Sequence, residues 1–470
     1  MLTTEIAIPI WAFLLLLTIS VVGLVDRAFI PGLRWFLRRR INRAINEVNT
    51  RLRMSLRPFH LTKRQVLLDR LMFDPEVLAA MQAHARAEGM PHEVAQAKVA
   101  EYAREIVPAF NAFVYFRFGY WLSKRIARLL FRVRVGFEQD QRLGDVAPDS
   151  TVVFVMNHRS NMDYVLVSYL VSEESTLSYA VGEWARVWPL DTLLKAMGAF
   201  FVRRNSGNAM YRKVLERYVR MATEQGVCQA VFLEGGLSHD GKLRAPRLGF
   251  LDYMLRGYDP EKDRDIVFVP IGINYDRVVE DRSLLRRKDP GAPKRSRWFM
   301  FRTSFGFYRK QMALSPKERR KRFGFAGVNF GVPISLRTYC AERSLRFAET
   351  GRDERFQQVE ALAYDLMSAI ARVVPILPVP LVARVLDAAG DAGLGPFEVK
   401  ARAYALIDAM QRDGAPIRDA ERPKERTLQG ALDLLAARRI IRLDDAGHYV
   451  TAQGAGEILA FYANSLSHWT

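Results

Sequence analysis

Residues 151–163 read TVVFVMNHRSNMD, and this stretch decides the fold. Its first six residues are apolar or β-branched without interruption, which predicts a short buried strand that ends in a polar turn. Helical spacing of apolar residues begins at Met162, and Ser160 or Asn161 is suited to cap a helix there. Strand, polar turn and helix in this order are the building unit of α/β folds.

The same alternation continues towards the C terminus. Four more short apolar runs occur at residues 177–181, 199–202, 229–233 and 266–271, and most are followed by a helix-like pattern. We therefore predict an α/β domain with a mostly parallel sheet and surrounding helices. Because ligands bind beyond the carboxyl ends of the strands in such sheets, the polar residues at these ends form the candidate site.

We place the α/β domain at residues 141–340. Before it, residues 1–54 are predicted to form a transmembrane anchor with an interfacial helix, and residues 55–140 a helical region close to the membrane. After it, residues 341–470 are predicted to form a helical C-terminal domain. The order helix, helix, hairpin, helix over residues 391–470 is similar to that of a winged helix.

The prediction of a membrane anchor rests on residues 6–25, which contain no charged side chain. Twenty helical residues span about 30 Å, the thickness of the hydrocarbon core of a bilayer. Arg27 and repeated arginines between residues 34 and 43 follow, and such flanks stay on the cytoplasmic side. A cleaved signal peptide is the alternative, but it needs positive charge ahead of the apolar run, where residues 1–5 carry none.

The formal net charge of +19 indicates a polyanionic partner, either an anionic membrane or nucleic acid. Residues 286–322 hold fourteen basic and two acidic residues with aromatic side chains between them, which suits a lipid interface; a solvated basic loop is the alternative. Residues 110–137 are also basic and aromatic, and fit either an interfacial helix or a helix packed on the next domain. The predicted membrane span and α/β pattern favour anionic lipid over nucleic acid.

The number and the spacing of the cysteines argue against a disulfide framework and against a zinc site. The chain has only Cys228 and Cys340, which lie far apart, so we expect neither a disulfide framework nor a zinc site of Cys and His ligands. We predict no metal and no cofactor.

The polar turn contains the predicted catalytic pair, His158 and Asp163. Five residues apart on one helix, the two side chains would point about 140° away from each other, so they can meet only across a loop-to-helix junction. Asp163 would lie in the first helical turn, where the helix dipole favours its anionic form. A carboxylate that accepts one imidazole N–H leaves the other nitrogen free to act as a general base. The alternative is a loop histidine and a helix-capping aspartate with structural roles.

Two further motifs follow other predicted strands. Arg203 and Arg204 come directly after the run 199–202 and suit a phosphate group, the alternative being a pair of surface arginines. The fourth motif, residues 269–276 (VPIGINYD), is an apolar strand interrupted by Pro270, which predicts a position at an edge or a pocket.

The remaining motif combines a carboxylate, two glycines and later cations. Glu234 is predicted to bind a substrate hydroxyl, and Gly235 and Gly236 allow the backbone to approach a ligand. Backbone amides here or in the first motif are expected to stabilise an oxyanion. Lys242 and Arg247 would add positive charge for the substrate.

Together, the four motifs resemble those of the glycerolipid acyltransferase family. The blocks of that family are His-x-x-x-x-Asp, Phe-x-x-Arg, Glu-Gly and Val-Pro, in this order, and the matching residues are His158 and Asp163, Phe200 and Arg203, Glu234 and Gly235, and Val269 and Pro270. The long subgroup of bacterial glycerol-3-phosphate acyltransferases is the most similar. Its signatures match residues 158–164 (HRSNMDY), 200–204 (FFVRR) and 461–466 (FYANSL).

The resemblance implies an activity and a location. An acyl group would pass from an acyl thioester, either acyl-CoA or acyl-carrier protein, to the sn-1 hydroxyl of glycerol-3-phosphate. The enzyme would lie at the bacterial inner membrane with its catalytic domain facing the cytoplasm. His158 would act as the base and Asp163 would orient it. Arg203, with Arg204 and Lys242, would clamp the acceptor phosphate.

One departure from the subgroup puts the acceptor in question. The third block commonly reads Glu-Gly-Gly-Arg-Ser-Arg, whereas Leu237 and His239 stand here in place of the two arginines. Lysophosphatidate is therefore the alternative acceptor. A thioesterase and a catalytically silent membrane scaffold are more distant alternatives, and the sequence leaves the type of acyl donor open.

Overall fold

An eight-stranded, mostly parallel sheet lies at the centre of the described chain. The computed structural model describes residues 64–111, 114–137, 146–171, 177–182, 190–203, 206–286, 322–415 and 423–469, with a few positions between 306 and 318. The strands of the sheet are β1 (Arg132–Phe137), β2 (Thr151–Met156), β3 (Ser178–Gly182), β4 (Ala199–Val202), β5 (Gln229–Phe232), β6 (Ile266–Tyr275), β7 (Phe325–Phe330) and β8 (Ile334–Ser335).

Helices precede, connect and follow these strands. They are α1 (Arg64–Met72), α2 (Pro75–Ala87), α3 (His92–Ile106), α4 (Tyr120–Leu130), α5 (Met162–Val171), α6 (Leu190–Ala196), α7 (Ala209–Glu224), α8 (Gly249–Leu255), α9 (Asp281–Arg286), α10 (Leu336–Arg343), α11 (Arg352–Val373), α12 (Pro378–Ala389), α13 (Pro396–Arg412), α14 (Glu425–Ala437) and α15 (Gly456–Ala463). A π-helical turn, Val114–Gly119, precedes α4, and a 3-10 turn, Asn464–Trp469, follows α15. A separate hairpin of β9 (Ile441–Leu443) and β10 (Tyr449–Thr451) lies between α14 and α15.

The strand order confirms the predicted α/β class. It is β1-β7-β6-β2-β5-β3-β4, with β8 beside β6. β6, β2, β5, β3 and β4 are parallel to one another, whereas β7 and β8 run antiparallel to β6. The carboxyl ends of the five parallel strands therefore share one edge of the sheet. Three of the motifs follow β2, β4 and β5 at this edge, whereas the fourth, with Val269 and Pro270, lies within β6.

β6 continues beyond its predicted end at Ile271 because it gains a second partner. It pairs with β8 at Phe268 and with β7 from Ile271 onwards. Pro270 lies at this change of partner, and its carbonyl oxygen accepts a hydrogen bond from Gly331 N (2.8 Å). Proline has no backbone N–H to donate. At position 270 this removes no hydrogen bond from the pairing of β6 with β8 or with β7, because Pro270 lies between these two paired segments. An edge strand was the wrong expectation for Pro270, because β6 is central.

The chain ahead of β2 is helical from α1 to α4, and one local signal explains where α2 begins. The Asp74 side chain accepts hydrogen bonds from Glu76 N and Val77 N, at 3.0 and 3.2 Å. Pro75 occupies the first helical position, where a backbone N–H has no acceptor within the helix. β1 falls within the region predicted to be helical and is nevertheless a strand, since it pairs with β7 along its whole length.

Helices cover both faces of the sheet. In β2, Phe154 joins a hydrophobic cluster with residues of α4 and α5, whereas Val153 and Val155 join a second cluster with residues of α3, α7 and α8. Successive side chains of a strand point to opposite faces, so burial on both faces requires a continuously apolar run. This explains why the stretch that begins at Thr151 shows no polar alternation.

The C-terminal helices pack on the same sheet. α11 contributes to the cluster that contains Val153, and α12 to α15 contribute to the cluster that contains Phe154. The described residues all belong to one unit, Arg53–Thr470. Helix, helix, hairpin and helix follow each other over residues 391–470, as expected. The likeness to a winged helix and the domain limits stay predictions.

The chain changes from one face of the sheet to the other between α11 and α12. The two helices are bent against each other by 96°. At this bend the chain passes close to β6 at Gly272, where an added Cβ would collide with the carbonyl oxygen of Val373. Within the described residues, no single helix has the length and apolar character of a membrane span; α11 and α12 reach them only as a bent pair. The anchor predicted at residues 1–54 lies outside the described residues.

Candidate active site

His158 and Asp163 meet at the carboxyl end of β2. The His158 Nδ1 atom lies 2.9 Å from Asp163 Oδ2, and both side chains are buried. His158 lies in the loop that follows β2 and Asp163 in the first turn of α5, as the five-residue spacing predicted. Because an ionised carboxylate only accepts hydrogen bonds, we assign the imidazole proton to Nδ1, which leaves Nε2 as the basic nitrogen.

Asp163 is held by three further hydrogen bonds. Its Oδ2 atom also accepts from Arg159 N and Ser160 N, at 2.7 and 3.0 Å, and its Oδ1 atom accepts from the hydroxyl of Tyr275 at 2.6 Å. Burial and the charge of Asp163 raise the pKa of Tyr275 well above its usual value, so Tyr275 stays a donor. Tyr275 was not among the predicted site residues, although it lies in the fourth motif.

The imidazole ring is also fixed from its faces. It stacks on Phe232 at the end of β5 with ring centroids 4.0 Å apart, and it meets Tyr164 edge-on at 5.6 Å. Its backbone is held on both sides, since His158 N donates to Glu234 Oε1 at 2.9 Å and Ser238 N donates to His158 O at 3.0 Å. The ring orientation is therefore set before any substrate arrives.

The Glu234 carboxylate holds the His158 loop in place through hydrogen bonds. Its second oxygen, Oε2, accepts from Arg244 N at 3.1 Å, so the carboxylate joins the His158 loop to the chain beyond the two glycines. Only 2% of Glu234 is exposed, and burial raises its pKa to about 7 although the charge of Arg159 opposes the rise. The role predicted for Glu234, binding of a substrate hydroxyl, stays a prediction.

Gly235 has a conformational reason to be glycine. Its φ is +65°, in the left-handed region that favours glycine, and an added Cβ would lie 2.6 Å from Arg247 Cγ. Gly236 is buried beside it. The backbone N–H of Gly235 donates to Phe232 O at 2.9 Å, and the N–H groups of residues 158–160 donate to Glu234 and Asp163. These four amides therefore already have acceptors in this structure, and the stabilisation of an oxyanion by backbone amides stays a prediction.

A second carboxylate closes the loop from the side of β6. Ser160 Oγ donates to Glu280 Oε2 at 2.6 Å, and Asn161 Nδ2 donates to Glu280 Oε1 at 3.2 Å. Burial raises the pKa of Glu280, while the two donors oppose that rise. Asn157, in turn, exchanges two hydrogen bonds of 2.8 and 2.9 Å with the backbone of Ile273. No sequence pattern marks Glu280, which lies 120 residues from Ser160.

Arg203 is engaged by a partner that was not predicted. Its Nη2 atom lies 2.6 Å from Glu105 Oε2 and its Nε atom 3.0 Å from Oε1, which is a bidentate ion pair. The guanidinium also lies over the rings of Tyr102 and Tyr211, and 30% of the side chain remains exposed. β4 is three strands away from β2, or roughly 14 Å at the usual strand spacing. Arg204 lies outside the described residues.

The other predicted cations lie on the loop after β5. Lys242 and Arg247 are exposed, and Arg244 is half-buried with its Nη1 atom donating to Leu237 O at 3.1 Å. Leu237 itself is buried, so the residue that replaces a family arginine packs inwards. The cations on this loop are thus available at the surface, whereas the position that departs from the family motif belongs to the core.

The described residues contain no group of three or more His, Cys, Asp or Glu side chains that could hold a metal ion. Cys228 and Cys340 are both free and buried.

Two family models match the chain. A model described as "Acyltransferase" matches residues 135–274, and a model described as "Glycerol-3-phosphate acyltransferase C-terminal region" matches residues 311–470. The first match contains His158, Asp163 and the motif residues up to Pro270. The second contains α11 to α15 and the final turn.

Relatives along most of the chain carry one name. A glycerol-3-phosphate acyltransferase of Alteromonas mediterranea is 26% identical over 89% of this chain and 51% of its own length. One of Pseudomonas paraeruginosa is 30% identical over 74% of this chain and 41% of its own length. One of Xanthomonas axonopodis pv. citri is 30% identical over 65% of this chain and 34% of its own length. The chain therefore spans about half the length of these relatives, or less.

A solved structure also aligns with the chain. It is that of a 1-acyl-sn-glycerophosphate (LPA) acyltransferase from Thermotoga maritima, with 14% identity over 65% of this chain and 97% of that one. The TM-score is 0.30, which is too low to support a conclusion about this chain.

Proposed function

This chain is related to the glycerol-3-phosphate acyltransferases, and we propose that it transfers an acyl group from an acyl thioester to the sn-1 hydroxyl of glycerol-3-phosphate. The product would be lysophosphatidic acid, an intermediate of phospholipid biosynthesis. The donor is acyl-CoA or acyl-carrier protein. One observation carries the proposal: a buried imidazole held at 2.9 Å by a carboxylate, at the edge of the sheet where the family motifs converge.

The proposed reaction uses His158 as a general base. Nε2 takes the proton of the acceptor hydroxyl while that oxygen attacks the thioester carbonyl and forms the new C–O bond. The C–S bond then breaks, and the imidazolium returns its proton to the leaving thiolate. Asp163 keeps the ring in the required tautomer and stabilises the imidazolium. General base catalysis of this kind accelerates a reaction by about 10²–10⁴-fold.

The acceptor phosphate is proposed to bind on the cationic side of the site. Arg203 presents a planar guanidinium suited to two phosphate oxygens, and its partial exposure leaves an approach open. Lys242 and Arg247 are exposed on the loop after β5 and would add positive charge for the phosphate. In this arrangement the phosphate shares Arg203 with Glu105, which keeps the guanidinium oriented while the site is empty.

We propose that the protein acts at the cytoplasmic face of the bacterial inner membrane. The π-turn and α4 expose Phe118 (45%) and Trp121 (53%), and the guanidinium of Arg125 lies 5.6 Å from the Trp121 ring centroid. α4 contains no acidic residue. Exposed aromatic rings among cations suit the headgroup region of an anionic bilayer.

Vesicles of phosphatidylglycerol test this membrane contact. The double substitution Trp121→Ala and Phe118→Ala should reduce co-sedimentation of the protein with the vesicles, because it removes the two rings that would insert among the headgroups. Phe397→Ala is the matched control, since Phe397 is 85% exposed on α13 and should not affect sedimentation. Equal loss in both variants would argue against this surface.

Acceptor competition tests the reaction itself. Purified protein is offered glycerol-3-phosphate and lysophosphatidate side by side, with acyl-CoA and with acyl-carrier protein as donors. We expect acyl transfer to glycerol-3-phosphate to be the faster reaction. Faster transfer to lysophosphatidate would reassign the acceptor. Thioester loss at the full rate without any acceptor would identify a thioesterase.

A further inference from the structure

The last turn of the chain contacts three of the four motifs. Asn464 Nδ2 donates to Asp240 O at 3.0 Å, beyond the two glycines of the third motif. The Oγ atom of Ser465 accepts from Asn274 Nδ2 at 3.2 Å, in the fourth motif. The carbonyl oxygen of Ser465 accepts from Arg159 Nη2 at 3.4 Å, in the first motif. These contacts join residues that are up to 306 positions apart in the sequence.

Arg159 is the link between this turn and the catalytic loop. It directly follows His158, its side chain is buried, and its Nη1 atom donates to the carbonyl oxygen of Gly241. Its Nε atom has no hydrogen-bond partner among the described residues. A buried guanidinium is costly to desolvate, so it is retained only where carbonyl oxygens and carboxylates hold it in place. The carboxylates of Glu234 and Asp163 provide that charge from the catalytic side.

Gly241 shows how closely the two segments approach each other. Its φ is +86°, and an added Cβ would collide with the carbonyl oxygen of Phe461 in α15. The third motif and α15 are therefore in contact backbone to backbone. No side chain can be inserted there unless one of the segments moves.

We infer that residues 461–465 are a positioning element of the active site, which holds the His158 loop through Arg159 and Gly241. This inference deepens the proposed acyl transfer and rests on it for its effect on turnover. The acyltransferase domain would reach its catalytic geometry only when the C-terminal region is docked. That would explain why the two matched regions, 135–274 and 311–470, occur together in one chain.

Gly241→Ala tests the inference by separating the two segments. We expect kcat to fall on the order of 10²-fold, because a displacement of about 1 Å at a reacting group has that effect. The KM values for donor and acceptor should stay unchanged, since no proposed substrate contact is removed. Hydrogen exchange at the backbone amides of residues 158–160 should become faster, because Asp163 and Glu234 no longer hold them as firmly.

Gly414→Ala is the matched control. Gly414 has a φ of +92°, close to that of Gly241, but an added Cβ would meet nothing within 4 Å. It therefore introduces similar backbone strain without a collision. We expect wild-type kcat and wild-type exchange at residues 158–160. An equal fall of kcat in both variants would overturn the inference, because general strain would then explain it.

Two milder variants cover the case in which Gly241→Ala does not fold. Arg159→Met keeps an unbranched apolar stem and removes the bonds to Gly241 and Ser465; Asn464→Ala removes the bond to Asp240. Asn464→Ala should lower kcat about tenfold, as loss of one buried hydrogen bond predicts, and Arg159→Met should lower it by more, because it removes two. Arg355→Met is the control, because Arg355 is a half-buried arginine paired with the buried Asp252, remote in sequence from the catalytic loop.

The exchange measurement separates this inference from the proposed reaction. If the wild-type protein transfers no acyl group, the proposed function fails, but faster exchange at residues 158–160 in Gly241→Ala would still show that the C-terminal turn holds the loop. A different result in Gly241→Ala would contradict the inference. If hydrogen exchange becomes faster only within residues 456–469, while the amides of residues 158–160 exchange as in the wild type and kcat is unchanged, the C-terminal turn has no positioning role.

Discussion

The His158 loop and the cationic residues predicted to bind the substrate are built in opposite ways. His158 and Asp163 are buried and hydrogen-bonded to each other, and further hydrogen bonds reach them from the loop after β5, from β6 and from the His158 loop itself. Arg203 is partly exposed, and Lys242 is exposed. The difference teaches that the proton-transferring groups are arranged in advance, whereas the cations keep the access that a charged substrate needs.

The largest expected effect is loss of the catalytic pair. His158→Ala should lower kcat about 10³–10⁴-fold, and Asp163→Asn about 10⁴-fold, because the second variant leaves the imidazole in the wrong tautomer. Steady-state kinetics measures the fall, and circular dichroism with a melting curve checks that the fold persists. Turnover near the wild-type rate in either folded variant would remove the pair from the mechanism.

Loss of the cation Arg203 should have a smaller effect than loss of the catalytic pair. It should change KM for the acceptor more than kcat. Arg203→Ala should raise the KM for the acceptor about 10–100-fold with a lesser change in kcat, as loss of a charged hydrogen bond predicts. Arg217→Ala is the control, because Arg217 is also a partly buried arginine in an ion pair: its Nε and Nη2 atoms lie 2.9 and 2.8 Å from Asp74 Oδ2, at the start of α2. A raised KM for the acyl donor instead would contradict the phosphate role.

Tyr275→Phe sharpens the comparison from the buried side. Removal of its hydroxyl leaves Asp163 Oδ1 without that donor, so kcat should fall about tenfold while both KM values stay unchanged. Kinetics with each substrate varied in turn measures this. If the acceptor KM rises instead, Tyr275 contacts substrate and the loop is less closed than its hydrogen bonds indicate.

The smallest expected effect is a dependence of stability on pH. Burial raises the folded-state pKa of Glu234 to about 7, above its ordinary value of 4.5, so folding takes up a proton between these two values. The contribution to stability is complete below about pH 4.5 and is lost as the pH rises towards 7, amounting to about 1–3 kcal/mol. Urea unfolding at several pH values should show this slope. Glu234→Gln should flatten it, and an unchanged slope would assign the titration to another group.

Local contacts were predictable from the sequence, because the pattern itself fixes them. The pair His158 and Asp163 lies across one strand–loop–helix junction, so spacing and helix geometry suffice to bring it together. The run 151–156 likewise becomes a strand with unchanged limits. The parallel sheet then brings the other motifs to the same edge.

Contacts between distant segments were not predictable in this way. Glu105 lies 98 residues from Arg203, Tyr275 lies 112 residues from Asp163, and neither pair has a spacing that marks it in a single sequence. Glu234 was assigned to the substrate because a carboxylate beside glycines suggests a binding site, whereas the structure shows it holding two backbone N–H groups. Long-range partners of this kind become visible only once the strand order is known.

The passage of the chain over Gly272 has an evolutionary consequence. Position 272 is distant in sequence from both halves of the catalytic pair, yet the strand backbone and Val373 leave no volume there for even a methyl group. Sequence drift at such a crossing is constrained by topology and not by chemistry. A catalytically silent descendant of this protein would therefore be expected to lose His158 long before it lost Gly272.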